Sequence, residues 1–233
     1  MTGGRVARPF PPRPPMTHDL DVQTARDLLA LRAVVLRPDD PFRWASGRLS
    51  PVYTDNRLTL GDPDVRDRLV DGFQTLAVEF SDATLVAGTA TAGIPHATLL
   101  ADRLGLPLVY VRSSPKGHGR ENLIEGAAVA GHRVLVVEDL VSTGGSVLAA
   151  AEALSENGAT PLAALAVFSY GLEAAAEAFR GAELPLRTLT TLGALLAVAE
   201  ADGSLDADAL GQLRAWHHDP SGWSDARGGG GQG

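Results

Sequence analysis

Residues 134–146 constrain the fold of this chain more than any other stretch. Four apolar, mostly β-branched residues, Val134–Val137, are typical of a strand buried on both faces of a sheet. Two acids, Glu138 and Asp139, follow at the predicted end of this strand. Small residues then lead into a run of strong helix formers from Val147 to Leu154. This order predicts a buried strand, an acidic turn, and a helix that begins at a small-residue loop.

The junction has the chemistry of a sugar-phosphate site. A helix N-terminus presents free backbone N–H groups that bind phosphate, and carboxylates accept hydrogen bonds from sugar hydroxyls. The predicted binding residues run from the acid pair into the helix: Glu138, Asp139, Leu140, Val141, Ser142, Thr143, Gly144, Gly145 and Ser146. A purely structural strand–turn–helix junction is the alternative. The glycine spacing matches neither a triphosphate loop nor a dinucleotide fingerprint.

The same order of residues resembles the phosphoribosyl-pyrophosphate (PRPP) signature of type I phosphoribosyltransferases. The resemblance implies an α/β chain with the type I phosphoribosyltransferase fold, in which helices flank a central, mostly parallel sheet beneath a small N-terminal hood. It further implies that Ser142–Ser146 bind the 5′-phosphate, while Glu138 and Asp139 hold the ribose hydroxyls.

Lys116 is the only lysine in the chain, and it follows the apolar stretch 106–111 in a polar loop with glycines. Lysine is a compact, mobile point charge, which suits a loop that closes on a leaving pyrophosphate. Together with Arg112 and His118, Lys116 is predicted to be catalytic and to bind PRPP. An ordinary solvated lysine is the alternative. The sequence Lys-Gly-His-Gly at this place resembles the catalytic loop of orotate phosphoribosyltransferases.

The segment Ser46–Arg57 carries a second resemblance to that family. It is similar to the N-terminal Ser-Gly-x-x-Ser-Pro-x-Tyr segment that helps to form the orotate pocket. This likeness implies that Ser46 and Tyr53 contact orotate, together with Ser142 from the phosphate site.

The segment Gly88–Pro95 carries a third resemblance, to the family's pyrophosphate loop. In that loop the backbone does most of the binding, which implies a role in PRPP binding for Thr91 and Ala92. Towards the C-terminus, Phe168–Leu172 and Trp216–Pro220 are similar to one bacterial branch of the family.

The resemblance implies a reaction of orotate with PRPP that gives orotidine 5′-monophosphate and pyrophosphate, a step in pyrimidine (UMP) synthesis. Mg²⁺ would be the cofactor, held mainly by PRPP and near Asp139, because this ion keeps few protein ligands. Because the catalytic loop reaches a neighbouring subunit in this family, a homodimer is implied. A cytoplasmic enzyme is expected.

Many members of the family have lysines where this chain has Ala45, Ala92 and Ser113. Many also have an acid–arginine pair, whose arginine contacts orotate, where this chain has Tyr170-Gly171. The donor to the carboxylate of orotate is therefore open at the level of sequence. Arg48, Arg57 and the backbone of the 46–57 segment are the candidates.

Composition limits the other possibilities. A net charge of −8 argues against general nucleic-acid binding, and the chain has no cysteine for disulfides or thiolate metal sites. No uncharged apolar run is long enough to span a membrane. A phosphoribosyltransferase for another nucleobase and a non-catalytic PRPP-sensing regulator remain alternatives. Outside the motifs, His96 is interpreted as a packed histidine, and His217 and His218 as surface residues.

The chain is expected to hold one domain. Residues 1–16 are predicted to be a disordered extension rich in Pro and Arg, and residues 225–233 a flexible Gly-rich tail. Between them, a single domain spans 17–224, with the hood at about 17–60 and the PRPP-binding core at about 61–190.

Helices are predicted at 19–35 and 62–78 from their apolar periodicity. Strands and helices then alternate from 84 to 190, and two more helices follow near 191–201 and 205–216.

Overall fold

The computed structural model describes residues 18–44, 46–114 and 123–230. Helix α1 (His18–Ala30) opens the described chain, and four short strands follow: β1 (Val34–Leu36), β2 (Phe42–Arg43), β3 (Leu49–Ser50) and β4 (Val52–Thr54). Strand β1 pairs with β4 and β2 with β3, both antiparallel. These two small sheets lie within the hood.

The first helix is shorter than the sequence predicts. It ends at Ala30, because Arg32 takes a left-handed conformation with φ 55° that an α-helix does not allow. Val34 and Val35, predicted to be helical, instead pair with Thr54 and Tyr53 in β1. The β-branched side chains favour that extended conformation.

A six-stranded sheet forms the centre of the molecule, with the strand order β10-β9-β8-β5-β6-β7. Its members are β5 (Leu85–Thr89), β6 (Leu108–Val111), β7 (Ile124–Gly126), β8 (Arg133–Val141), β9 (Thr160–Ser169) and β10 (Leu186–Thr191). Only β7 at the edge runs antiparallel to its neighbour, and the five others are parallel. The predicted mostly parallel sheet is confirmed.

Helices cover both faces of this sheet: α1, α2 (Pro63–Ala77), α3 (Gly93–Leu104), α4 (Gly145–Glu156), α5 (Glu173–Gly181) and α6 (Leu192–Ala201). Two more helices, α7 (Ala207–His218) and α8 (Pro220–Asp225), pack on each other, and α8 contacts β3. Two apolar cores result, one on each face. Side chains of β8 alternate between them, with Leu135 and Val137 in one core and Val134 and Val136 in the other. None of these four is accessible to solvent, as the sequence predicts for a central strand.

Strand β8 runs past its predicted end. Its ladder with β9 continues to the pairs Leu140↔Phe168 and Val141↔Ser169, so the acid pair lies inside the strand rather than after it. In a strand, successive side chains point to opposite faces. Accordingly, Glu138 is buried, whereas Asp139 is half-buried.

The C-terminal segment returns to the hood. The hydroxyl of Ser224 in α8 accepts a hydrogen bond of 2.9 Å from the Leu49 backbone N–H, and the N–H of Gly229 donates to the Ser224 carbonyl at 2.9 Å. Residues 225–233 are predicted to be a flexible tail. The described part of this region, up to Gly230, lies against Ser224 and Leu49. None of the helices in the described ranges is long and apolar enough to cross a lipid bilayer.

Candidate active site

Residues 142–146, predicted to bind phosphate and named the phosphate cradle, lie at the junction of β8 and α4 as the sequence predicts. The turn is made by Gly144, which has φ 86° and caps the helix. A side chain at Gly144 would meet the Phe179 ring at 2.8 Å, in addition to straining the backbone. No described side chain caps α4, so the N–H groups of its exposed first residues, Gly145 and Ser146, are free for an anion.

The acid pair lies directly before the cradle. The Asp139 backbone N–H donates to Glu138 Oε1 at 3.0 Å. Burial of the Glu138 carboxyl raises its pKa to about 8, and its hydrogen bond with the Asp139 side chain acts in the same direction. The raised pKa favours the protonated form of Glu138, which can donate a hydrogen bond as well as accept one.

Asn56 ties the hood to this acid pair. Its side chain is fully buried, and Nδ2 donates to the Asp139 carbonyl oxygen at 2.7 Å. The two residues are 83 positions apart in sequence, and no local sequence pattern signals their contact. The hood thus fixes the backbone that carries Asp139.

The predicted pyrophosphate loop lies beside the acid pair. It follows β5, contains a cis peptide bond between Ala90 and Thr91, and leads into α3 at Gly93. A Cβ atom at Gly93 would overlap the Thr89 hydroxyl and the Val137 carbonyl oxygen, so only glycine lets α3 pack this closely on β8. Thr91 is exposed and Ala92 half-buried, which leaves the loop accessible to a ligand.

Arg112 reaches the same edge of the sheet from β6. The residue before it, Val111, accepts a hydrogen bond of 2.8 Å from the N–H of Ala90 in the pyrophosphate loop. The Arg112 guanidinium lies 3.7 Å from the carboxylate of Glu125. The other two predicted catalytic residues, Lys116 and His118, lie outside the described residues.

A cavity of about 380 Å³, named the hood cavity, adjoins the cradle. Its walls come from the hood, the cradle, the end of β9 and the C-terminal helices: Trp44, Arg48, Leu49, Ser142, Thr143, Tyr170, Leu172, Glu173, Ala174, Trp216, His217, His218, Asp219, Pro220 and Ser221. Of the predicted orotate contacts, Ser142 lines this cavity. Ser46 and Tyr53 are not part of its wall, and their contact with orotate stays a prediction. Tyr53 is 44% exposed and packs on Phe42, with 5.3 Å between the ring centroids.

Tyr170 is a structural wall of the hood cavity. Its ring lies edge-on to Phe168 at 5.3 Å and to Trp216 at 5.5 Å. Its hydroxyl shares a hydrogen bond of 3.0 Å with Thr54 of the hood, and burial raises the pKa of the phenol. Tyr170 therefore connects the hood, the sheet and α7. It belongs to the Tyr170-Gly171 pair, at which many family members carry an acid and an arginine.

His96 lies in the first turn of α3, 1% exposed, with its ring centroid 6.1 Å from that of Phe73. Neither ring nitrogen has a hydrogen-bond partner among the described residues. The packed histidine predicted from sequence is confirmed. Burial lowers the pKa of His96 from 6.5 to about 4, although the nearby charge of Asp139 acts in the opposite direction.

The lowered pKa predicts an acid-sensitive fold. The neutral ring favours the folded state, so its contribution is complete above pH 6.5 and is lost as the pH falls towards 4. In this window, His96→Leu should flatten the pH dependence of the free energy of unfolding by up to about 1.4 kcal/mol per pH unit. Urea denaturation at about pH 7, 5.5 and 4.5 measures the slope across this window. Equal slopes in wild type and variant would show that His96 does not titrate on unfolding.

Comparison with known proteins agrees with this geometry. Residues 66–178 match the family model described as the phosphoribosyl transferase domain. The orotate phosphoribosyltransferase of Cutibacterium acnes is 52% identical over 210 residues, which cover 90% of this chain and 97% of that protein. Among solved structures, the orotate phosphoribosyltransferase of Aeropyrum pernix superposes with a TM-score of 0.68 at 35% identity, covering 78% of this chain and 99% of that one.

A further solved structure is the Mycobacterium tuberculosis orotate phosphoribosyltransferase in complex with PRPP. It superposes with a TM-score of 0.61 at 28% identity, covering 76% of this chain and 98% of that one. The likeness in sequence thus extends over nearly the whole length of a named relative, and the fold agrees with it. This chain, with its type I phosphoribosyltransferase fold, belongs to the orotate phosphoribosyltransferase family.

Proposed function

We propose that this protein transfers the ribose 5-phosphate group of PRPP to N1 of orotate, giving orotidine 5′-monophosphate and pyrophosphate. The observation that carries the proposal is the position of Ser142. This residue opens the phosphate cradle and also lines the hood cavity. A base in the cavity therefore lies next to a ribose phosphate bound at the cradle and the acid pair.

Each part of the site has a role in this reaction. The cradle binds the 5′-phosphate through the N-terminus of α4. Glu138 and Asp139 bind the ribose hydroxyls. The pyrophosphate is bound by the accessible loop at Thr91 and Ala92 and by the guanidinium of Arg112. Lys116 and His118 also bind it.

The chemistry needs positioning and charge stabilisation more than proton transfer. N1 of orotate displaces pyrophosphate at the anomeric carbon, and the N1 proton passes to the departing pyrophosphate or to solvent. In the transition state, positive charge develops on the ribose and negative charge on the leaving group. In the proposed assignment, the half-buried carboxyl of Asp139 serves the developing positive charge of the ribose, and the guanidinium of Arg112 serves the pyrophosphate. Such fixed charges are typically the largest contribution to catalysis.

The carboxyl groups of the candidate site fit an Mg²⁺ ion that is held mainly by PRPP. The described residues contain no cluster of three or more side chains suited to hold a metal. Asp139 offers one accessible carboxyl, whereas burial raises the pKa of Glu138 and so disfavours the charged form that binds a metal. Mg²⁺ commonly takes one or two carboxylates and completes its shell with substrate oxygens and water. When bound, the ion would neutralise charge on the leaving pyrophosphate.

A homodimer, in which the loop around Lys116 serves a neighbouring subunit's site, belongs to this proposal. A cytoplasmic location also belongs to this proposal, and a chain without cysteine is consistent with that reducing compartment.

Release of pyrophosphate from PRPP and Mg²⁺ in the presence of orotate, uracil, adenine or hypoxanthine tests the proposed base. We expect release at least about 100-fold faster with orotate than with any other base, because a site built to pair a polar group rejects bases that lack it. Release with a purine instead would indicate a transferase for another base. Binding of PRPP without release for any base would indicate a sensor.

A further inference from the structure

Among the described residues that line the hood cavity, one is an arginine, Arg48. In the sequence of the hood it stands between Gly47 and Leu49. Its side chain is half-buried, and its Nη1 atom is out of reach of solvent without a hydrogen-bond acceptor in the described part of the chain. A guanidinium nitrogen that is removed from water and left unpaired is costly, and an acceptor in the adjoining cavity would remove that cost.

Other arginines nearby already have partners. Arg57 makes two bonds to Asp55, from Nε at 2.6 Å and from Nη2 at 2.9 Å. Arg43, also in the hood, donates to the Gly47 carbonyl at 2.9 Å. By contrast, Arg48 has no ion pair with any described residue. Of the two arginines that the sequence leaves as candidates, only Arg48 is both unpaired and part of the cavity wall.

The carboxylates of the cavity wall do not neutralise Arg48. Asp219 is used at the start of α8, where its Oδ1 accepts from the Gly222 N–H at 2.9 Å. Glu173 lies 3.7 Å from the Arg180 guanidinium. The cavity therefore combines an unpaired cation with a largely apolar wall that includes Trp44, Tyr170 and Trp216. Such a pocket suits a flat ring that carries one anionic group.

We infer that Arg48 binds the carboxylate of orotate and selects it over pyrimidines without that group. The inference deepens the proposed function and depends on it. The guanidinium fork matches a carboxylate in two parallel hydrogen bonds, which a lysine or an amide does not reproduce. Ser142 lines the same cavity and places the bound ring next to the ribose site.

Steady-state kinetics of Arg48→Gln test this assignment. We expect KM for orotate to rise by about 30- to 100-fold, the size of a lost charge-assisted pair, with KM for PRPP unchanged. Orotamide, which has a carboxamide in place of the carboxylate, should discriminate further. Wild type should prefer orotate over orotamide, and the variant should lose most of that preference. Arg43→Gln, in the same hood, is the matched control and should leave both KM values within about twofold.

An unchanged KM for orotate in Arg48→Gln, or a large increase in Arg57→Gln alone, would overturn the inference while leaving the proposed function intact. Absence of orotate turnover in wild type would instead remove the proposed function itself. If Arg48→Gln does not retain PRPP binding, Arg48→Lys carries the same test. It keeps the charge without the fork, and its KM for orotate should rise about tenfold.

Discussion

Lys116→Ala should lower kcat by about two to three powers of ten, the typical effect of removing one preorganised donor from a transition state. Lys116 is the only lysine of the chain and lies in the loop that follows Arg112. Arg112 itself reaches the carboxyl edge of the sheet next to the pyrophosphate loop. Negative charge grows on the pyrophosphate as its bond to the ribose breaks. A cation placed there acts mainly in the transition state, so kcat should fall more than the affinity for orotate.

Lys116→Arg tests whether positive charge alone is enough at this position. It keeps the positive charge but replaces a mobile point charge with a planar fork, so we expect kcat between those of wild type and Lys116→Ala. Initial rates at saturating orotate and PRPP separate kcat from binding. A Lys116→Ala enzyme that keeps wild-type kcat would assign Lys116 to the solvated surface and leave the leaving group to Arg112 and His118.

Gly93→Ala should destabilise the fold by about 1–3 kcal/mol, the usual cost of an overpacked contact, and should raise KM for PRPP about tenfold. The added Cβ would overlap the Thr89 hydroxyl and the Val137 carbonyl oxygen, and it would lie 3.2 Å from Glu138 Cα. Both neighbours in β8 are backbone atoms of the central strand and cannot rotate away. Helix α3 must therefore move from β8 and carry the pyrophosphate loop with it.

Gly211→Ala is the matched control, because Gly211 lies inside α7 and an added Cβ there would meet nothing within 4 Å beyond its chain neighbours and the backbone of its own helix. This substitution should raise stability by about 0.5–1 kcal/mol, since alanine favours a helix interior over glycine. Urea denaturation of both variants, with KM for PRPP measured beside it, gives the comparison. Equal stability of Gly93→Ala and wild type would mean that α3 can move away from β8 at no cost to the fold.

The strand, the cradle and its helix were predictable because their signal is local. A β-branched run, a glycine that needs a positive φ and a row of helix formers each determine their own conformation. The predicted end of β8 was wrong because β9 runs beside it as far as Ser169, a partner that local sequence does not reveal. The first helix was predicted too long for a similar reason, since the pairing of Val34 with Thr54 replaces helical turns.

The position of the candidate site residues in the fold was predictable, but the contacts between them were not. The acid pair, the cradle, Thr91 and Arg112 meet at the carboxyl edge of the sheet, as expected for parallel strands. The contact of Asn56 with Asp139 and the cavity wall at Trp216 join segments far apart in sequence, and no local pattern signals them. Arg48 differs from the other candidate, Arg57, in its unpaired nitrogen and its place in the cavity wall, and neither feature can be read from local sequence.

The near-UV absorbance of orotate, mixed with wild-type protein and Mg²⁺, measures directly whether this protein consumes orotate. Addition of PRPP should cause a continuous loss of the orotate band, and omission of PRPP should leave the band constant. Such a loss is the result predicted for a transferase that consumes orotate. A constant band in a protein that still binds PRPP would contradict the assignment of orotate as its substrate.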